Sequence, residues 1–264
     1  VSLQDPTSAE LFSLRLTSLS YADVSEAVNR HLVDPPRSTA LIVDATNTMG
    51  MAASCQDERL HESMSTYDYL LPDGMPLVWA MRRRKAAVQS TTAGPHLVQA
   101  VLGGLEQPTN IALVGGFPSE HERIIAASAK LFPNARFTLM HNAPKGAIDD
   151  AYVASVVRLV EESKAQLIFV CLGVPRQYYF AALARPLIGD RVLLSVGGAF
   201  LYLIGDAKVP PLWMQQSGLW WLHRMLKNPR RLASRYARYN TLFVYYYARR
   251  ELAGAGHRTR EGTI

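Results

Sequence analysis

Short apolar runs alternate with stretches of helical spacing along the first 205 residues. Ala40–Val43 (ALIV), Ile111–Val114 (IALV), Arg136–Met140, Leu167–Leu172 (LIFVCL) and Val192–Val196 (VLLSV) are bounded by Gly, Pro, Asn or Asp. Their shortness and β-branched content predict buried strands. Between them, Ser25–Leu32, Pro95–Leu105, Ser119–Leu131, Asp149–Glu162 and Gln177–Ala184 space their apolar residues as helices do. This alternation predicts an α/β fold, a mostly parallel Rossmann-like sheet flanked by helices. Ligands of such sheets lie beyond the carboxyl ends of the strands, so the loops that follow each strand are where chemistry is sought.

Those loops carry a pattern. The first core strand leads into Asp44-Ala45-Thr46-Asn47, the next into Gly115-Gly116-Phe117-Pro118 with Ser119 as the expected N-cap. LIFVCL leads into Gly173-Val174-Pro175-Arg176-Gln177, and VLLSV into Gly197-Gly198. One Gly-Gly turn is ordinary turn chemistry. Three glycine-bearing strand ends before helix starts suit backbone amides that approach a diphosphate. Neither GxGxxG after the first strand nor GxxxxGK[ST] is present, which disfavours dinucleotide and P-loop sites.

After about residue 210 the pattern changes, and residues 1–210 and 211–264 read as a catalytic α/β domain and a helical appendage. Trp213–Leu226 is aromatic and apolar. After Pro229, Leu232, Tyr236, Tyr239, Phe243 and Tyr246 recur at helical intervals beside Arg231, Arg235 and Arg238. Two readings stay open, a helix lying in a membrane interface and an ordinary core-facing helix with a basic outer face. Charge adds to this contrast. The net charge is +6, yet residues 1–223 hold 18 basic and 20 acidic side chains, whereas residues 224–260 hold ten Lys or Arg and one acid, Glu251. A basic tail on an acidic body calls for an anionic partner: a membrane surface, a diphosphate or nucleic acid. The 48% hydrophobic content provides for a globular core, and two cysteines, Cys55 and Cys171, are too few for a disulfide framework. The opening VSLQDPTSAELFSLRL lacks the form of a secretory signal, and no apolar run is long enough to span a bilayer, so a cytoplasmic or peripheral protein is expected.

Leu70-Leu71-Pro72-Asp73-Gly74 places a carboxylate between Pro and Gly, on a rigid turn before a helix near Pro76. Such an aspartate serves either as a turn or cap residue or as a general base. Thr46, Asn47, His96, Arg176 and Gln177 are the other polar candidates, and Arg82–Lys85 reads as a solvated helix end. No His, Cys or carboxylate set has metal-ligand spacing, and there is no DxD motif, so neither metal nor cofactor is expected.

LLPDGMPLVWAMR, IALVGGFP, LGVPRQ, SVGGAF and PLWMQQSGLWWLHRMLKNPRRLASRY, in that order, resemble the WecG/TagA/CpsF family of glycosyltransferases, from about Thr46 to Tyr236. The resemblance implies a metal-independent, inverting transfer from a UDP-sugar to a monosaccharide on undecaprenyl diphosphate. It places the protein peripherally on the cytoplasmic face of the bacterial inner membrane, with the appendage meeting the lipid. It also implies site residues: Asp73 as general base; Thr46, Asn47, Gly115, Gly116, Gln177, Gly197 and Gly198 at the donor; Arg224 and Arg231 at the lipid diphosphate.

The chain departs from the family pattern at Ala45, Thr91, His96, Tyr178, Leu201, Val209 and Trp220. Each change removes or alters a polar group near the implied site. On these departures the chain looks closest to the xanthan-type branch, with UDP-glucose as donor, a β-1,4 linkage and a role in exopolysaccharide biosynthesis. A UDP-N-acetylmannosamine (or mannosaminuronic acid) transferase is the alternative within the family, and a non-enzymatic basic adaptor is the alternative outside it. No nucleic-acid partner is expected on the leading reading, and the aromatic appendage would suit a second copy of the chain as well as lipid.

Overall fold

The computed structural model describes residues 6–35, 39–88, 90–227 and 229–258, with the side chains of Arg231 and of residues 251–258 left out. Its strands are β1 (Ser8–Leu11), β2 (Leu14–Thr17), β3 (Leu41–Thr46), β4 (Tyr69–Pro72), β5 (Thr109–Gly115), β6 (Ala135–His141), β7 (Leu167–Cys171) and β8 (Val192–Ser195). Its helices are α1 (Tyr21–Val33), α2 (Thr48–Ser54), α3 (Glu58–Ser65), α4 (Met75–Arg83), α5 (Gly94–Gly103) and α6 (Pro118–Leu131). They continue with α7 (Asp150–Glu162), α8 (Arg176–Ala184), α9 (Phe200–Leu203), α10 (Leu212–Gln216), α11 (Trp220–Lys227) and α12 (Pro229–Arg258).

Among the described residues the strands form one sheet in the order β1-β2-β4-β3-β8-β7-β5-β6. Only the β1–β2 pair is antiparallel. The central strands are mostly apolar because both faces are covered. Alternation along each strand divides them: Ile42 and Leu193 face a core completed by α2, α3, α4, α7, α8 and α12. Val43 and Leu194 face a second core completed by α1, α5, α6 and α9. The result is the predicted α/β sheet between helical layers.

Local chemistry sets the boundaries. Ser20 and Asp23 form a capping box at the start of α1, and Asp149 accepts from the Tyr152 amide at 2.8 Å at the start of α7. At α6 the N-cap is Phe117, not Ser119, because Pro118 occupies the first helical position, where a missing N–H costs nothing. β1 and β2 are not evident in the sequence pattern, since Phe12 and Ser13 turn the hairpin at φ 56° and 62° without glycine. β4 also differs from expectation: Leu70–Pro72 are strand, and the rigid turn begins only at Asp73.

The C-terminal helices lie against the body. Phe243 on α12 is buried and meets the Phe12 ring edge-on at 5.7 Å, and Tyr239, Leu242, Tyr246 and Tyr247 pack against the same core. For residues 239–247, then, the apolar stripe is core-facing rather than interfacial.

Candidate active site

The sheet order brings the ends of β4, β3, β8, β7 and β5 side by side along one edge. Every strand-end loop singled out by its chemistry follows one of these five. Asp73 leaves β4 in a turn held at three points. Its amide donates to the Thr46 carbonyl at 2.7 Å, the Thr92 amide donates to the Pro72 carbonyl at 2.8 Å, and Gly74 sits at φ 121°, a conformation that needs glycine. Burial pushes the Asp73 carboxyl up from 3.8, while the Arg224 guanidinium and the Gly94 amide pull it back, so that it settles at about 6. Such a group is mostly ionised at neutral pH and still basic enough to take a proton.

Arg224 on α11 acts on this carboxylate through space, and Tyr236, Tyr202 and Asp73 all raise the guanidinium in return. α11 is seated by contacts that run from ring to ring. Trp220 Nε1 donates to the Tyr202 hydroxyl at 3.1 Å, and the Trp220 ring meets His96 at 5.7 Å. His96 in turn meets Tyr21 at 5.9 Å. Just before α11, Gly218 turns at φ 73° beside Met75, where an added Cβ would come within 2.7 Å of the Met75 Cβ. The segment thereby closes over the Asp73 loop from α4, α5 and α9.

Beneath the edge lies a polar network inside the core. Asp44, fully buried, accepts from the Thr46 hydroxyl, from Tyr178 Oη at 2.7 Å and from Gln177 Nε2 at 2.7 Å. Burial raises the Asp44 carboxyl most, the three donors lower it, Asp73 raises it again, and it rests at about 7. Tyr67 extends the network, its hydroxyl donating to the Gln177 backbone carbonyl at 3.3 Å and lying 2.9 Å from Ser195 Oγ. Gly50 on α2 makes room for it, since a Cβ there would fall 2.7 Å from the Tyr178 hydroxyl. Asn47 caps α2, its Oδ1 accepting from the Met49 and Gly50 amides at 3.1 Å each.

The glycine pairs play different parts. Gly115 (φ 122°) faces the neighbouring strand so closely that a Cβ would lie 2.6 Å from the Cys171 carbonyl, a packing reason for glycine. Gly116 turns at φ 73°, and the next amide, that of Phe117, already donates to Glu120 at 3.0 Å. Gly197 (φ 52°) lies over Gln177, and Gly198 follows it in a 3₁₀ turn. Of the remaining candidates, Arg176 donates to the Pro144 carbonyl at 2.6 Å and His96 lies 3.4 Å from Gln215 Oε1. Arg231 stands in the first turn of α12, and its side chain lies outside the described residues.

Comparison with known proteins bears on this edge. The family model described as "Glycosyl transferase WecG/TagA/CpsF family" matches residues 9–256. The chain belongs to the WecG/TagA/CpsF glycosyltransferase family. It is 24% identical over 206 residues to the N-acetylglucosaminyldiphosphoundecaprenol N-acetyl-β-D-mannosaminyltransferase of Bacillus subtilis (strain 168), covering 76% of this chain and 77% of that protein. The comparison supports the family and not the xanthan-type branch, for the relative's named sugar is N-acetylmannosamine rather than glucose. Among solved structures, that described as "crystal structure of SsGBP and GDP complex" matches at 17% identity. It covers 59% of this chain and 46% of the other at a TM-score of 0.25, too low to carry any argument.

In this family member Asp73, Thr46, Asn47, Gly197 and Gly198 stand at adjacent strand ends, with Gln177 in the first turn of α8. Asp44, expected in the loop after the first core strand, lies inside β3; with Tyr178, Tyr202 and Tyr236 it joins them, and none of the four is among the site residues that the resemblance implies. Asp44 stands in an apolar strand, where the only signal is a carboxylate with no visible partner. Among the described residues no group of three His, Cys, Asp or Glu side chains is placed to hold a metal, and no helix is long and apolar enough to cross a membrane.

Proposed function

We propose that the protein transfers a sugar from a UDP-sugar to a monosaccharide on a polyprenyl diphosphate, with inversion. The observation that carries this reading is the Asp73 carboxylate on its rigid turn at the strand-end edge of the sheet, its amide tied to the Thr46 carbonyl at 2.7 Å, with burial raising it to about 6 against the pull of Arg224. A sugar hydroxyl is a poor nucleophile, and a positioned carboxylate that takes its proton in the transition state is typically worth about 10²–10⁴ in rate. The hydroxyl oxygen bonds to the anomeric carbon as the bond to the UDP oxygen breaks, and one such in-line displacement inverts the centre. Charge develops on the departing diphosphate, and Arg224 and the strand-end amides are positioned to stabilise it. Thr46, Asn47, Gln177 and the glycines Gly115, Gly116, Gly197 and Gly198 form the donor side of this reading, Arg224 and Arg231 the acceptor side.

Two features support work at a membrane surface. Leu212, Trp213 and Leu226, on α10 and α11 near the site, are each more than 60% exposed, and Lys227 and Arg230 neighbour them in sequence. Exposed apolar side chains with adjacent cations suit an anionic bilayer, the cytoplasmic leaflet on this reading. N-acetylmannosamine is the first donor sugar to test because the Bacillus relative's name carries it; glucose, suggested by the departures at Tyr178 and Leu201, is the second reading.

The test is to incubate the protein with short-chain lipid-diphosphate N-acetylglucosamine or glucose, a panel of UDP-sugars and EDTA, and to follow product by mass spectrometry. Transfer from one UDP-sugar supports the reading and names the donor. Transfer that stops with EDTA overturns metal independence, and absence of transfer from every donor to either acceptor overturns the reading.

A further inference from the structure

Gln177 is 4% exposed, and its two amide ends are in opposite circumstances. Nε2 donates to Asp44 Oδ1 at 2.7 Å. Oε1 is buried and has no hydrogen-bond partner among the described residues. An unpaired buried acceptor forfeits the hydrogen bonds it had in water, so folded chains seldom keep one without a reason. The orientation is not arbitrary. Asp44 accepts from three donors; in its ionised form, which prevails above about pH 7, it has no proton to give, so it faces the NH₂ end of the Gln177 amide. Oε1 must then point the other way. There it meets Gly197, whose added Cβ would stand 3.5 Å from it. The Gly197–Gly198 turn follows β8 at the strand-end edge.

We propose that Asp44 is a positioning residue of the donor site: it holds the Gln177 amide so that Oε1, and not Nε2, is presented beneath the Gly197–Gly198 turn to accept an N–H or O–H of the uridine nucleotide. The proposal rests on the reading of this edge as a nucleotide site. Binding shifts the Gly197–Gly198 turn and gives Oε1 the donor it lacks. Uridine offers donors of both kinds, the imide N–H and the ribose hydroxyls. Asp44 never touches the ligand; it acts by deciding which end of one amide the ligand meets.

The experiment measures UDP affinity by calorimetry, and thermal melting, for the unaltered chain, for Asp44→Asn and for the double variant Asp44→Asn with Gln177→Glu. In Asp44→Asn the new amide can face Gln177 with its NH₂, which turns Gln177 Oε1 inward and leaves Nε2 toward the nucleotide. UDP affinity is expected to fall about tenfold or more. In the double variant the amide introduced at position 44 donates its NH₂ to one oxygen of the carboxylate introduced at position 177, and the other oxygen of that carboxylate is presented to the ligand. Its affinity is expected to recover most of that loss, a rescue that a merely structural role for Asp44 would not produce. If Asp44→Asn does not fold, Gln177→Leu, which has no oxygen to present, is expected to show the same loss of UDP affinity. Unchanged affinity in Asp44→Asn, or no recovery in the double variant, or unchanged affinity in Gln177→Leu overturns the proposal. An unaltered chain that binds no UDP overturns the nucleotide reading itself, and the proposal with it.

Discussion

The amide of Asp73 donates to the carbonyl of Thr46 at 2.7 Å. The turn that carries the candidate base is therefore tied to β3, the strand that carries Asp44 and Thr46 and leads into Asn47, as well as to its own strand β4. Asp73 also raises the Asp44 carboxyl through space. Candidate base and donor-side network share one piece of backbone and one electrostatic field, which gives each of the following expectations a defined place in the structure.

Asp73→Asn keeps the size of the side chain and removes the base. Turnover is expected to fall by about 10²–10⁴ with UDP affinity little changed, measured by single-turnover transfer and calorimetry. Near-normal turnover would remove Asp73 from the mechanism.

The same substitution is expected to stabilise the protein above pH 6. In the folded chain Asp73 ionises at about 6 against 3.8 for a free carboxyl. Its contribution to stability is thus fully present below about pH 4 and lost as pH rises through about 6. Asparagine has no such loss. Urea denaturation should show a gain of roughly 1–3 kcal/mol at pH 7.5 and almost none at pH 4.

The pH profile of transfer has a predicted sign as well. The base must be ionised, so kcat/KM should fall tenfold per pH unit below about 6. Arg224→Ala removes the cation that holds Asp73 down and should move this acid limb to higher pH, with lower turnover at every pH. Arg224→Lys should leave the limb nearly in place.

Packing of α12 can be read from one pair of neighbours. Phe243 is 5% exposed and Val244 is 65% exposed. Phe243→Ala should cost about 3–5 kcal/mol in urea denaturation, and Val244→Ala less than about 0.5 kcal/mol. Equal, small effects would show that α12 is not part of the folded core.

Two glycines separate turn chemistry from close packing. Gly173 has φ 72° with nothing within 4 Å of an added Cβ, whereas at Gly115 the Cβ would meet the Cys171 backbone at 2.6 Å. Gly173→Ala is expected to cost about 1–2 kcal/mol, Gly115→Ala clearly more, read as the difference in melting temperature.

Hydrophobic periodicity by itself determined the strands β3, β5, β6, β7 and β8 and the helices α1, α5, α6, α7 and α8, because strands covered on both faces are apolar along most of their length; the short α2 and α3 leave no such signal. Local turn chemistry marked Asp73 between Pro72 and Gly74 for the same kind of reason, since Pro and Gly restrict the backbone wherever they stand. Elements whose signal is shared with distant partners were not legible. The β1–β2 hairpin turns on Phe12 and Ser13, and the ring of Phe12 is met by Phe243, 231 residues further along the chain. The stripe of α12 reads equally as lipid-facing and core-facing until the body it packs against is in place, because an apolar face is satisfied by either. Asp44 shows the limit most plainly: a carboxylate in an apolar strand has no meaning until Thr46, Gln177 and Tyr178 are folded round it. Hydrogen bonds between residues more than a hundred positions apart leave no periodicity in the chain, and only the tertiary structure decides them.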